Sequence, residues 1–402
     1  MKSRRLLLVV ISLILVSALA FVSCAEEETK SNVYKVGIST ALSGPAAAWG
    51  DAQVKCWELA AKDINSQGGI VLDGEKYTIE IIAYDHKFNP VEVATTIDRL
   101  ILEDKVNVIN VLQFTDILSG KAASANIIAI PFEWHPRVVH TDYPYQFGGT
   151  TSVEQVTGEF YKWLGQNRPD IKRVARLASA DTMGYYVAEA GGNSAVAEGF
   201  EIVATEFYDR ATTDFTASML RILATNPDII DDCAATAAHS AEMAKAARSL
   251  GYDGPFIFHA GSTLEYVVGI AGWDKLQGCY ANNAYHEPYT GEMKKWKDKV
   301  MAEYGSEFNM ATILFAGHAY MITSMLESAG SADPAKIVQA SHADDFEFYT
   351  PTGPGWLWGE DKYGHKNMIG MPYNIIEIQG EEMIDKVWIT RDGWKTPEEY
   401  QP

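Results

Sequence analysis

Side chains that could bind a small molecule follow short apolar runs in this sequence. Glu133, Trp134 and His135 directly follow one such run, and Tyr208 and His259 end two others. In a sheet of parallel strands, ligands bind beyond the carboxyl ends of the strands, which is where these residues would lie. Aromatic walls with a few polar groups suit a flat or apolar compound. The sequence therefore predicts a small-molecule pocket at the strand ends.

Catalysis is the alternative chemistry for such a pocket, because hydrolases also place His, Glu and Asp in a cleft. The sequence contains no G-x-S-x-G, G-x-x-x-x-G-K-[ST] or H-E-x-x-H motif, which argues against hydrolase, nucleotide and zinc-protease chemistry. His135 and His259 lie far apart in the chain and lack the spacing of metal ligands. We therefore expect a binding protein that is not an enzyme and uses neither a metal nor a cofactor.

Composition limits the partners of the chain. Its 402 residues include 53 acidic and 33 basic side chains, and the formal net charge is −20. Such an acidic surface repels phosphate backbones, so nucleic acid is not an expected partner. With 47% hydrophobic residues the chain can bury sizeable cores. Its length suits two or three domains of ~100–200 residues each.

The N-terminal segment has the composition of an export signal. Three basic residues among the first five precede an apolar stretch that ends in small residues. This order predicts a signal peptide over 1–23 rather than a spanning helix. Cys24 directly follows Ser23, an order that resembles a bacterial lipobox, so we expect lipidation of Cys24 and an acidic tether over 24–33. An ordinary signal peptide followed by an incidental cysteine is the alternative.

The first strand and helix are the clearest local elements. Residues 36–40 form an apolar run that is typical of a buried strand. A Ser-Gly-Pro turn at 43–45 follows, and its proline suits the first residue of a helix. Apolar residues then recur about every 3.6 positions until Gly68 and Gly69 stop the helix. This is the first half of a βαβ unit, and the N–H groups of the helix start face a ligand above the sheet.

Strands and helices then alternate in two series, which predicts parallel sheets. The first series has strands at 36–40, 77–84, 106–112 and 127–132, with helices at 90–102 and 115–125. The second has strands at 174–179, 201–208, 228–233, 255–259 and 278–283, with helices at 185–198, 214–224 and 240–250. Crossovers are expected at 147–152 and 285–288, helices at 291–304 and 310–329, and late strands at 356–359 and 374–378. This assignment separates Cys233 from Cys279 by a strand, so we expect both of them, and Cys56, to be free thiols.

Two stretches, LSGPAAAWGD over 42–51 and ELAAKDINSQGGI over 58–70, resemble the type I periplasmic binding proteins, in particular the branched-chain amino-acid binders of ABC importers. The resemblance extends over about 34–387. It implies an α/β fold of two doubly wound parallel-sheet domains joined by hinge crossovers. The first domain would comprise 34–148 with 287–350, and the second 149–286 with 351–390, before a C-terminal tail over 391–402. The domains would close on a ligand, and a monomer would deliver it to a membrane permease.

The resemblance also assigns ligand contacts, several of which this chain alters. In the family the turn that contains Ser43 leads into the cleft, and the aromatic residue at Trp49 covers the ligand. A serine that binds the ligand carboxylate is replaced by Phe114, with Thr115 beside it. The family's tyrosine and glutamate, which hold the ligand ammonium, fall on two further residues, Met183 and Ala260.

Loss of both ammonium partners argues against an ordinary α-amino acid, because a buried ammonium without a partner costs several kcal/mol. Glu133 could replace them from the opposite wall. The expected ligand is a small apolar or aromatic carboxylate, to which Ser43, Thr115 and the adjacent helix starts still offer donors. A true hydrophobic amino-acid binder is one alternative. A ligand-sensing receptor domain is the other, although such a domain normally carries an attached membrane or signalling segment.

Overall fold

The computed structural model describes residues 32–44, 46–134, 142–149, 151–259, 264–305 and 308–402. Its contacts separate Met1–Asn32 from a second unit, Val33–Pro402, which contains the fold and the site described below. The predicted signal peptide and Cys24 lie outside the described residues, as do His135 and Ala260. Among the described residues, no helix has both the length and the apolarity that a membrane span requires.

The secondary structure alternates as the two predicted series require. The strands, in chain order, are β1 (Asn32–Thr40), β2 (Ile70–Leu72), β3 (Glu75–Asp85), β4 (Val108–Leu112), β5 (Ile128–Phe132), β6 (Arg173–Ser179), β7 (Glu201–Tyr208), β8 (Ile229–Asp231), β9 (Phe256–Phe258), β10 (Tyr280–Asn282), β11 (Trp356–Trp358), β12 (Met368–Gly370), β13 (Tyr373–Gln379), β14 (Glu382–Thr390) and β15 (Gly393–Lys395). The helices are α1 (Ala47–Ser66), α2 (Pro90–Leu102), α3 (Thr115–Ala125), α4 (Val153–Asn167), α5 (Thr182–Ala197), α6 (Thr216–Leu223), α7 (Ala237–Ser249), α8 (Leu264–Ala271), α9 (Gly291–Tyr304), α10 (Met310–Ala329), α11 (Pro334–Ser341) and α12 (Glu360–Tyr363).

The first sheet has the strand order β2-β3-β1-β4-β5. Strands β1, β4 and β5 pair in parallel, whereas β2 and β3 form an antiparallel hairpin. Every residue of β4 and β5 is buried, as expected of parallel strands that are covered on both faces. One face packs against Trp57 of α1 and Met325 of α10, and the other against Ile97 of α2 and Leu118 of α3. The first sheet is therefore doubly wound.

The second sheet has the order β15-β14-β13-β10-β9-β8-β6-β7. Pairing is parallel from β7 to β10 and antiparallel from β10 to β15. Phe160 of α4 and Ala195 of α5 pack on one face, while Met219 of α6 and Ala244 of α7 pack on the other. The expected α/β class with two doubly wound sheets is confirmed, and each sheet also contains antiparallel pairs that the prediction of parallel sheets did not include.

A short hairpin stands apart from both sheets. Strands β11 and β12 pair only with each other in an antiparallel two-stranded sheet. Leu357 and Ile369 of this hairpin are buried in the core of the first sheet. The strand predicted at 356–359 thus exists, but it joins neither series, and the domain boundaries stay a prediction.

Most predicted elements are confirmed, and several were missed. Four helices and one strand have the predicted bounds: α2, α3, α9, α10 and β7. The predicted crossover over 147–152 runs directly into an unpredicted helix, α4. The missed strands are β2, β12, β14 and β15, and the other missed helices are α8, α11 and α12. The three cysteines Cys56, Cys233 and Cys279 are free and buried, as expected, with β9 between the strands next to Cys233 and Cys279.

Candidate ligand-binding cleft

A cleft of about 500 Å³ lies where strands of both sheets end. This volume falls within the range of small-molecule sites, ~300–1,000 Å³. Its described lining is largely apolar: Ala46, Trp49, Phe88, Leu112, Gln113, Phe132, Trp134, Met183, Val187, Arg210, Ala234, Ala235, Thr236, Ala237 and Met310. Residues after β4, β5, β7 and β8 contribute, as expected for ligand sites in sheets of this kind.

An aromatic cluster lines the side of the cleft that the first sheet and its helices form, which we call the first wall. The side that the second sheet and its helices form is the second wall. The Trp49 ring lies 5.6 Å from that of Phe132 and 6.3 Å from that of Phe315 between centroids. Trp49 is in the first turn of α1, and Gly50 beside it is buried against the loop that follows β1. A Cβ atom at Gly50 would overlap the carbonyl oxygen of Ala41, so only glycine permits this close approach. The tight corner therefore fixes Trp49 over the end of the sheet.

The corner between β4 and α3 turns Phe114 out of the cleft. Gln113 and Phe114 are both in the left-handed region, with φ of 66° and 60°. Gln113 consequently lines the cleft, whereas the Phe114 ring packs edge-on against Phe88 and His86 at 5.3 and 5.7 Å between centroids. This backbone conformation had no signal in the sequence, and it explains why Phe114 is absent from the described lining.

Thr115 and Glu133 are hydrogen-bonded to each other at the start of α3. The Thr115 hydroxyl donates to Oε2 of Glu133 at 2.5 Å, and the Thr115 N–H donates to the same oxygen at 3.2 Å. Both residues are buried, and Glu133 is only 8% exposed. A carboxylate is well placed at a helix N-terminus, where N–H groups and the helix dipole both favour negative charge. The donors expected to bind the ligand carboxylate are therefore engaged by the protein's own side chain.

Two acidic residues shape the second wall between β8 and α7. Cys233 and Ala234 are both left-handed, with φ of 49° and 59°. Asp231 Oδ1 accepts the Cys233 N–H at 2.8 Å, and Asp232 Oδ1 accepts the Ala234 N–H at 3.1 Å. Asp232 Oδ2 also accepts the hydroxyl of Ser240, in α7, at 2.6 Å. These bonds fix the turn that carries residues 234–237 into the cleft.

Buried charges lie behind this turn. Nε of Arg176 donates to Asp231 Oδ2 at 2.9 Å, the Tyr161 hydroxyl donates to the same oxygen at 2.7 Å, and both charged side chains are fully buried. Burial raises the pKa of Asp231, but the Arg176 charge acts together with other lowering causes, among them the Tyr161 hydrogen bond, and the net pKa lies well below its usual range. The pKa of Asp232 is raised to about 7, first by burial, against the hydrogen bond from Ser240, and then by the negative charge of Asp231.

The raised pKa of Asp232 predicts a pH-dependent stability. Between its usual pKa of 3.8 and about 7, the folded protein holds a proton that the unfolded chain releases, so stability falls as pH rises through this window. Asp232→Asn keeps an oxygen acceptor for the Ala234 N–H and removes the charge. We expect the midpoint of thermal unfolding of the variant, relative to that of the wild type, to rise between pH 5 and pH 8. A difference that is constant across this range would contradict the assignment.

Arg210 is the charged residue of the described lining, and sequence reasoning missed it. Its side chain is 52% exposed and pairs through Nε with Asp181 Oδ2. Asp181 Oδ1 also caps α5 by accepting the Gly184 N–H at 2.9 Å, which places Met183 in the first turn beside the cleft. Burial raises the pKa of Asp181. The hydrogen bonds from Arg210 and Gly184, together with the Arg210 charge, lower it by more, so the net pKa is below its usual value. The signal in the sequence was the position of Arg210 just after a strand, next to the predicted Tyr208.

The predicted contact residues divide into two groups. Trp49, Trp134 and Met183 line the cleft together. The other predicted contacts among the described residues do not line the cleft. They are Phe114, Thr115, Glu133, Ser43, Tyr208 and His259. Their roles as ligand contacts stay predictions.

Hydrogen bonds and packing engage these last three residues elsewhere. The Ser43 hydroxyl donates to Asp85 Oδ2 at 2.6 Å on the surface. Tyr208 is buried edge-on against Phe215, with ring centroids 5.1 Å apart. His259 is buried, with Nδ1 2.8 Å from Asn282 Nδ2 and Nε2 3.3 Å from Asp231 Oδ1. Across the described part of the chain, no three His, Cys, Asp or Glu side chains are grouped to hold a metal ion.

Comparison with known proteins gives consistent matches. The family model described as periplasmic binding protein matches residues 33–380. The leucine-, isoleucine-, valine-, threonine- and alanine-binding protein of Pseudomonas aeruginosa is 22% identical over 349 residues, which cover 84% of this chain and 89% of that protein.

Two solved structures share the fold. A leucine-binding protein from Thermotoga maritima has a TM-score of 0.70 at 18% identity, over 89% of this chain and 99% of its own. A solute-binding protein of an ABC transporter from Rhodopseudomonas palustris, in complex with 3,4-dihydroxybenzoic acid, has a TM-score of 0.71 at 21% identity, over 91% of this chain and 99% of its own.

Proposed function

This chain belongs to the periplasmic binding protein family, and from that membership we propose that it captures a small apolar or aromatic carboxylate and delivers it to an ABC importer. Its relatives are substrate-binding proteins and not enzymes, and the family implies an exported, periplasmic protein with a small-molecule ligand and a membrane permease as partner. The resemblance that 42–51 and 58–70 suggested is confirmed. Lipid anchoring through Cys24, a monomeric state and closure of two domains about the crossovers belong to the proposal.

The observation that carries the ligand class is the lining of the cleft. Its described residues include Trp49, Phe132 and Trp134, and none of them is Asp or Glu. An α-amino acid would bring an ammonium into an apolar cleft without a carboxylate to pair with it, at a cost of several kcal/mol. Glu133 is the acidic residue that the sequence predicts as a ligand contact, and its Oε2 accepts a hydrogen bond from Thr115 at the start of α3. An apolar body with a carboxylate suits this lining better than a zwitterion.

Relatives of both ligand classes exist in the family. The Pseudomonas aeruginosa protein is named for hydrophobic and small amino acids, and the Rhodopseudomonas palustris protein was solved with an aromatic acid. Binding of a hydrophobic amino acid is therefore the second candidate function, and the name of the Pseudomonas aeruginosa protein favours it. The aromatic residues of the lining favour the aromatic acid.

Calorimetric titration distinguishes the two candidates. The panel comprises benzoate, 4-hydroxybenzoate, 3,4-dihydroxybenzoate and phenylacetate against leucine, isoleucine and valine. We expect at least one aromatic acid to bind at least tenfold more tightly than any of the amino acids, and to be recovered unchanged after incubation. Saturation at ~100 times Kd should raise the free energy of unfolding by roughly 2.7 kcal/mol. Tighter binding of leucine than of every aromatic acid would favour the second candidate.

A further inference from the structure

Within the proposed function, the structure assigns Arg210 as the residue that binds the ligand carboxylate and so selects singly charged acids. The inference rests on the ligand being an acid, and it goes further by stating where the acid group lies and which wall holds it. The two walls of the cleft differ in how they treat negative charge. On the first wall the anion position is filled, and on the second wall a cation faces the cleft.

The filled position is the start of α3. Oε2 of Glu133 takes both the N–H and the hydroxyl of Thr115, at 3.2 and 2.5 Å. The Glu133 side chain is held by the chain itself and is nearly excluded from solvent. A ligand carboxylate at this point would compete for the same donors and would be repelled by the carboxylate of Glu133. The first wall therefore accepts the apolar part of a ligand rather than its acid group.

The cation on the second wall is held in place and keeps donors available. Asp181 binds Nε of Arg210 with one oxygen and caps α5 with the other. Among the described residues, neither Nη atom of Arg210 has a hydrogen-bond acceptor. A guanidinium presents its remaining N–H groups in a planar fork that matches a carboxylate. Asp181 thus acts as a positioning residue that orients this fork, and Arg210 contacts the ligand.

This arrangement fixes the direction of the ligand. Its carboxylate would lie against Arg210, and its apolar body would extend toward Trp49, Phe132 and Met310 on the opposite wall. Because Arg210 is the charged member of the described lining, a second carboxylate on the ligand would lack a partner there. We therefore infer a preference for monocarboxylates over dicarboxylates and over uncharged amides.

The test uses benzoate, benzamide and terephthalate, titrated calorimetrically into the wild type and into Arg210→Gln and Arg210→Lys. If another acid of the panel binds the wild type more tightly, that acid and its amide replace the first two. A charged hydrogen bond contributes enough for us to expect at least a tenfold loss of benzoate affinity in Arg210→Gln, with little change for benzamide. Arg210→Lys should retain an intermediate affinity. The wild type should bind benzoate more tightly than terephthalate.

Arg221→Gln is the matched control, because this side chain is 55% exposed, pairs with Glu206 and does not line the cleft. Its benzoate affinity should equal that of the wild type. Equal binding of benzoate by the wild type and Arg210→Gln would overturn the assignment of Arg210 and leave the proposed function intact. If no aromatic acid binds the wild type at all, the aromatic ligand class of the proposed function fails instead.

Discussion

Replacing Arg176 by methionine is expected to lower the free energy of unfolding by about 3–5 kcal/mol. The change leaves the fully buried carboxylate of Asp231 without the cation that neutralises it. The Tyr161 hydroxyl and the Cys233 N–H would still donate to Asp231, but they do not supply a charge. Urea denaturation at pH 7 measures the loss.

The control for this prediction is Arg221→Met, which breaks an exposed ion pair with Glu206. Exposed pairs contribute roughly 0–1 kcal/mol, so this variant should remain close to the wild type. Adding Asp231→Asn to Arg176→Met removes the unpaired charge, and the double variant should recover part of the lost stability. A loss no larger than that of Arg221→Met would show that Asp231 does not depend on Arg176.

The Trp134→Ala variant is expected to bind aromatic acids 10- to 100-fold more weakly. Trp134 follows β5 of the first sheet, yet it packs against a cluster of the second wall that includes Met183, Val187 and Cys233. It therefore covers the cleft from one wall to the other. Burial of a ring contributes up to ~4 kcal/mol at 25 cal/mol/Å² for ~150 Å², of which a half-buried tryptophan supplies a part.

Calorimetry with the acid that the wild type binds most tightly measures this loss. Tyr266 is exposed on α8 and does not belong to the described lining, so Tyr266→Ala is the aromatic control. This variant should bind the acid with the affinity of the wild type. An unchanged affinity in Trp134→Ala would mean that the occupant of the cleft does not touch this ring. The proposed ligand contact would then be wrong.

Elements with strong local signals were the ones that the sequence predicted well. Helix α2 begins at Pro90 after an Asn89 cap that accepts two backbone N–H groups, and its buried residues include Val93, Ile97 and Leu100 at helical spacing. The overlooked helix α4 carries comparable signals, since Ser152 caps it and Val156, Phe160 and Leu164 are buried on one face. It could have been found. Short strands such as β2 and β12, by contrast, are defined by their partners and have little pattern of their own.

The cleft was predicted in part for the same reason. Trp49 and Met183 stand in the first turns of helices that follow strands, a position that chain order predicts. Phe114 also follows a strand, but the two left-handed residues at that corner turn it away. The hydrogen bond between Thr115 and Glu133 joins positions 18 residues apart, and no local sequence pattern predicts it. Arg210 was missed because its place depends on where β7 ends and on its pairing with Asp181.

The residues that shape the cleft differ from those that line it. Asp231, Asp232 and Glu133 hold the corners from buried positions, while Trp49, Trp134 and Met183 present their side chains to the cleft. Substitutions of the lining residues therefore leave the hydrogen bonds of the corners in place. Such a division separates ligand preference from stability, so we expect point mutations of the lining to change the preferred ligand while the fold is kept. For the same reason, substitutions at the lining residues are the ones to make when the ligand preference of this chain is to be changed by design.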